Sequence, residues 1–128
     1  MLFLQLIKIQ IKNLLLDPSG FYWRLIMLCN FRTYKLSVQF YKNCKSLSLA
    51  GNLNSQLLRA SSSIALNLAE GSGRRTIRDR LRFYHIAMGS LRECQAVLTI
   101  LSKEELLVEA DIVGAHLYKL INSQVSYR

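Results

Sequence analysis

Between positions 31 and 123 apolar side chains return every three or four residues, the period at which an α-helix gathers them on one face. Over residues 31–49, Val38, Phe40, Tyr41, Cys44 and Leu47 fall on one side, with Lys35, Lys42 and Lys45 mostly elsewhere. Gly51-Asn52 breaks this pattern, and Asn52 or Asn54 is placed to cap a second helix over residues 53–70 by accepting its free backbone amides. That helix has Leu57, Ile64 and Leu68 as its stripe, beside the small Ala60, Ser61 and Ala65, a narrow surface that lets another backbone approach. Gly71-Ser72-Gly73 then supplies residues that tolerate left-handed geometry, and Thr76 is positioned to cap the next helix. This third helix, over residues 77–101, repeats Leu81, Tyr84, Met88, Leu91, Gln95 and Leu98, and a fourth over residues 103–123 carries Leu106, Ala110, Val113, Leu117, Leu120 and Ile121.

Nothing reads as a strand apart from an ambiguous amino-terminal patch, and short links imply antiparallel neighbours. The predicted fold is therefore all-α, an antiparallel up-down-up-down four-helix bundle over residues 31–125, preceded by an atypical extension over residues 1–30. A chain of 128 residues buries an apolar core of this kind without metals or disulfides. Within the extension, Gln5, Lys8, Gln10, Lys12 and Asn13 interrupt the apolar residues, so no run reaches the roughly 20 needed to cross a membrane. A signal peptide is disfavoured, because the lysines sit inside the apolar stretch and Asp17-Pro18-Ser19-Gly20, a strong turn, comes after it. A second apolar patch surrounds Arg24. Three readings of the extension stay open: a segment docked on the bundle, a segment lying on a membrane surface, and a start codon placed upstream of Met27.

Charge changes the picture more than composition does. The chain has 17 Lys and Arg against 8 Asp and Glu, a formal +9, which favours phosphate-rich or otherwise acidic partners. Seven arginines, Arg59, Arg74, Arg75, Arg78, Arg80, Arg82 and Arg92, lie between positions 59 and 92. Arg74 and Arg75 fall in a turn, while Arg78, Arg82, His85 and Arg92 share a helical face along which a phosphate backbone can run. Arginine presents a planar fork of donors suited to phosphate oxygens, and Thr76 with the free amides of a helix start adds to the attraction for anions. The competing reading is that these arginines pair with carboxylates of neighbouring chains, such as Glu104, Glu105, Glu109 and Asp111, or only keep the surface wet.

Chemistry is sparse elsewhere. Asn67 falls on the packed side of the second helix, where a polar amide needs a partner, and Glu70 is placed either to accept from Asn67 or to pair with Arg74. Both are expected to be structural, and no second carboxylate or histidine is evident to make Glu70 a general acid. Gly71-Ser72-Gly73-Arg74 has only a superficial likeness to a phosphate loop, lacking the lysine-hydroxyl ending and preceding strand. Cys29, Cys44 and Cys94 have no metal-binding or thiol-exchange spacing, and His85 and His116 no chelating one, so no metal, cofactor or catalytic residue is expected. An odd number of cysteines argues for a reducing compartment, the cytoplasm.

From about Phe31 to Ser123 the chain resembles the four helix bundle proteins, first noted in intervening sequences of bacterial 23S ribosomal RNA genes. The resemblance rests on Phe31-Arg32-Thr33-Tyr34, on Gln56-Leu57-Leu58-Arg59-Ala60 leading to Ser63-Ile64, on Asn67-Leu68-Ala69-Glu70-Gly71-Ser72-Gly73-Arg74, and on Arg82 through Glu93. The family often has proline where this chain has Ala65, and a second arginine where it has Leu58. The resemblance implies an up-and-down bundle, in some members a pentameric ring. A similar bundle among accessory proteins of diversity-generating retroelements implies basic pentamers engaging nucleic acid. The expectation is a non-enzymatic, self-associating cytoplasmic bundle that binds RNA or DNA phosphates through Arg74, Arg75, Arg78 and Arg82, with Arg92 and Thr76. Its alternative is a structural or adaptor protein that contacts only other proteins.

Overall fold

The computed structural model describes residues 1–15, 31–47 and 50–126. Among them the chain forms five α-helices and no strand: α1 (Leu2–Leu15), α2 (Arg32–Ser46), α3 (Asn52–Ser72), α4 (Ile77–Ile100) and α5 (Glu104–Val125). Each of α2 to α5 packs against two of the others, in the closed order α2, α3, α4, α5 and back to α2. Low-numbered side chains on one helix meet high-numbered ones on the next. Arg59 of α3 reaches Glu93 of α4 and Ser63 reaches Ser90, while Gln95 of α4 reaches Asp111 of α5 and Arg80 reaches Gln124.

The core follows the apolar period with one rotation. Leu57, Ile64, Leu68, Leu91, Leu98 and Leu117 are almost completely buried, each contributing about 1.5–3 kcal/mol by leaving water. On α2 the buried positions are Thr33, Ser37, Phe40 and Cys44, whereas Val38 and Tyr41 are only half-buried. Burial is tolerated at Ser37 because its hydroxyl donates to the Tyr34 carbonyl at 2.7 Å, and at Ser61 because its hydroxyl donates to the Leu58 carbonyl at 3.2 Å. Small polar residues that satisfy themselves along the helix let α2 lie close to its neighbours.

Two turn expectations are corrected. Neither Asn52 nor Asn54 caps α3: the helix already includes Asn52, and Gly51 precedes it with a φ of 99°, a left-handed value that suits glycine. Gly71 and Gly73 do not supply left-handed backbone either. Gly71 is still helical and Gly73 closes α3 in the right-handed region, at φ −85° and ψ −4°. What Gly71 provides is space, since a Cβ there would lie 2.7 Å from Tyr84 Cε1 and 3.1 Å from Phe83 Cβ. The backbone that does turn left-handed between α4 and α5 is that of Ser102, at φ 55°.

The amino-terminal segment is helical over Leu2–Leu15 rather than strand-like. Leu2, Phe3, Leu4, Leu6, Ile7 and Ile9 are all exposed, while the Asp17-Pro18-Ser19-Gly20 turn, the apolar patch around Arg24 and Cys29 lie outside the described residues. No described helix is long and apolar enough to cross a membrane.

Candidate nucleic-acid interface

The link between α3 and α4 begins the candidate surface, and its local order comes from caps at both sides. The Gly73 amide bonds to the Glu70 carbonyl at 3.2 Å and the Arg74 amide to the Gly71 carbonyl at 3.1 Å, closing α3. Thr76 opens α4 by accepting from the Asp79 amide at 3.1 Å, as its position in the sequence predicts. The Thr76 hydroxyl oxygen thus accepts as the cap, which leaves its O–H to donate, and Asp79 in the first turn already answers the positive end of the helix dipole.

Beyond this start, Arg78, Arg82, His85, Gly89 and Arg92 succeed one another at steps of three and four along α4, and all are exposed. The row extends over roughly 21 Å between Arg78 and Arg92 at 1.5 Å per residue. Arg75, in the link, is exposed beside its lower end. Among the described residues, arginine pairs with a carboxylate in two places, Arg59 with Glu93 at 2.8 Å and Arg74 with Glu70. Arg75, Arg78, Arg82 and Arg92 therefore form a run of positive charge with no acidic partner among those residues. A polyanion approaching it meets charges that no internal ion pair offsets.

Arg74 differs from the rest. Its guanidinium holds the Glu70 carboxylate one helical turn back and lies over the Phe83 ring, 4.7 Å from the centroid. Arg82 approaches the same ring, at 6.0 Å. Of the two partners expected for Glu70, Arg74 is the one observed. Asn67 instead donates to the Ser63 carbonyl at 2.8 Å and to the Ser63 hydroxyl at 3.0 Å, and that hydroxyl bonds to Ser90 of α4 at 2.9 Å. This relay fixes the register of α3 against α4, a structural task.

Arg80, which charge alone does not distinguish within the basic run, has a structural role. Half-buried, it donates to Gln124 near the end of α5 at 2.8 Å and to the Arg74 carbonyl at 3.2 Å, so it ties the link to the last helix. Its signal was positional: Arg80 follows Ile77 by three and precedes Tyr84 by four, on the inward side of α4, whereas Arg78 and Arg82 fall on the outward side. Phe83, which directly follows Arg82, does more than pack: its ring supports the Arg74 guanidinium.

Other chemistry lies apart from this surface. An apolar groove of about 280 Å³ runs between α2 and α5, lined by Leu36, Phe40, Ile112 and Val113, with Asn43 donating to Glu109 at 2.7 Å on its wall. Cys44 and Cys94 are buried and unpaired, and burial pushes each thiol up to about 12. Among the described residues no three His, Cys, Asp or Glu side chains converge as metal ligands would.

No curated protein matches the chain. The family model described as 23S rRNA-intervening sequence protein matches residues 23–123, a stretch that starts ahead of α2 and ends within the last turns of α5. With its motifs, four mutually packed helices and this match in agreement, the chain belongs to the 23S rRNA-intervening sequence protein family.

Proposed function

We propose that the protein is a non-enzymatic, self-associating antiparallel up-down-up-down bundle that binds the phosphate backbone of nucleic acid through Arg75, Arg78, Arg82 and Arg92. One observation carries this reading: these guanidiniums stand in an exposed row with no carboxylate partner among the described residues. Contacts of this type attract phosphates regardless of base sequence and weaken as salt rises. The opposed numbering of contacts between α3 and α4 and between α4 and α5 supports the bundle topology. Unpaired Cys44 and Cys94 fit a reducing compartment such as the cytoplasm.

Self-association is supported by Val108, Ile112 and Tyr118, apolar or aromatic side chains exposed on α5. The same observation favours a second reading, an adaptor that contacts proteins alone, in which Glu104 and Glu105 of one copy neutralise the arginines of the next. Electrophoretic shift of RNA and of DNA decides between them. The protein with Arg75, Arg78, Arg82 and Arg92 all changed to Ala is expected to shift neither at concentrations where the parent shifts at least one. Equal shifts by both proteins defeat the proposed surface; no shift by the parent at low salt favours the adaptor.

A further inference from the structure

We propose that Arg74 is a pre-ordered stacking platform for an unpaired nucleobase, which makes single-stranded nucleic acid the preferred ligand of the arginine surface. The inference rests on the phosphate-binding reading above and adds to it a choice of strand state.

Arg74 is held in a way that the other surface arginines are not. Its backbone is fixed by its own amide bonding to the Gly71 carbonyl and by its carbonyl accepting from Arg80, which is itself anchored to α5. Its side chain is fixed by Glu70 and by Phe83, whose ring face lies 4.7 Å from the guanidinium carbon. With Glu70 taking part of its charge, Arg74 is a poorer phosphate ligand than Arg75 or Arg78. Yet its side chain remains 44% exposed, so a guanidinium backed by an aromatic ring still presents surface to solvent.

A planar cation over an aromatic face is suited to stack a second flat π-system, and arginine planes and aromatic rings are the surfaces on which splayed-out bases are bound. Ordering the platform before binding removes much of the entropy a free arginine would lose. Arg75, Arg78 and Arg82 adjoin Arg74 along the link and the start of α4, where they can hold phosphates flanking the stacked base. In a duplex each base is already stacked within the helix and inaccessible to the platform. Phe83 packs beneath Arg74 rather than standing free, and Arg82 approaches the same ring at 6.0 Å from its centroid.

The test uses fluorescence anisotropy of the full chain with four probes of equal length: oligo-rU, oligo-dT, an abasic deoxyribose-phosphate oligomer and a mixed-sequence duplex. One stacked base is expected to make oligo-rU or oligo-dT bind about 5- to 100-fold more tightly than the abasic strand. Arg74→Lys keeps the charge and loses the plane, and Phe83→Leu keeps the apolar packing and loses the ring. Each is expected to erase most of that difference while leaving abasic and duplex binding within about twofold, with unfolding midpoints measured alongside to identify loss of fold. Equal binding of abasic and base-bearing strands by the parent overturns the platform while leaving phosphate binding intact. An undiminished base preference in folded Arg74→Lys overturns it as well. Failure of all four probes to bind at low salt overturns the phosphate reading beneath it.

Discussion

Gly71→Ala and Gly89→Ala are the same chemical change in two neighbouring helices, yet the structure assigns them opposite signs. Replacing glycine by alanine inside a helix stabilises by about 0.5–1 kcal/mol through backbone entropy alone. At Gly89, exposed on α4, an added Cβ meets nothing within 4 Å, so the full gain is expected. At Gly71 the added Cβ lies 2.7 and 2.9 Å from Tyr84 ring carbons, where carbon atoms prefer about 3.5–4.0 Å. Tyr84 is 3% exposed and packs beside Phe31 with ring centroids 6.4 Å apart, so it has little freedom to withdraw. Overpacking of this kind costs about 1–3 kcal/mol, which offsets the entropic gain and leaves a net loss of up to about 2.5 kcal/mol. Urea unfolding followed by far-UV circular dichroism reads the difference as midpoints moving apart at constant slope. A Gly71→Ala protein as stable as Gly89→Ala would refute the close approach of α3 to Tyr84.

Alkaline unfolding is expected from the two core thiols. An unfolded thiol with its ordinary value of 9.0 loses its proton while the folded one, raised by burial to about 12, retains it, so the folded state binds more protons in that window. Stability from Cys44 and Cys94 is full below pH 9 and is expected to decline above it by about 1.4 kcal/mol per pH unit for each thiol, with urea midpoints at several pH values as the check. Removing residues 1–15 is expected to leave the melting temperature within a few degrees while improving solubility, because exposed Leu2, Phe3, Leu4, Leu6 and Ile7 lose no core contact; a large fall in melting temperature contradicts their exposure. Asn67→Leu is expected to cost about 1–2 kcal/mol in urea midpoints by removing the donor to Ser63, and an unchanged midpoint argues against the relay to Ser90.

Helices α3, α4 and α5 were legible because most of their core positions are aliphatic and recur at helical spacing, although on α4 Met88 and Gln95 are only half-buried and Ala87, Cys94 and Val97 take inner positions. The face of α2 was less legible. There Thr33 and Ser37 are inside and Val38 is not, a choice decided by backbone proximity and by hydroxyls that bond within their own helix. Glycine is ambiguous in sequence for a related reason. Gly51 relieves a backbone angle and Gly71 relieves a side-chain clash, and only tertiary context separates the two uses. Helical spacing placed Arg78, Arg82 and Arg92 together, but it could not tell which arginines were already engaged. The pairing of Glu70 with Arg74 was one of two alternatives that spacing offered, whereas Phe83 beneath Arg74 and Gln124 meeting Arg80 depend on side-chain geometry and on an element 44 residues away.

If uncompensated guanidiniums along α4 recognise a polyanion, salt reads their number directly. On single-stranded nucleic acid the logarithm of affinity falls with the logarithm of salt at about 0.7 per phosphate contact. Measuring that slope for the parent and for the protein with Arg75, Arg78, Arg82 and Arg92 changed to Ala is expected to show it shallower by about 2.8 in the variant. An unchanged slope contradicts recognition by this row, because the bound phosphates would then lie on other residues.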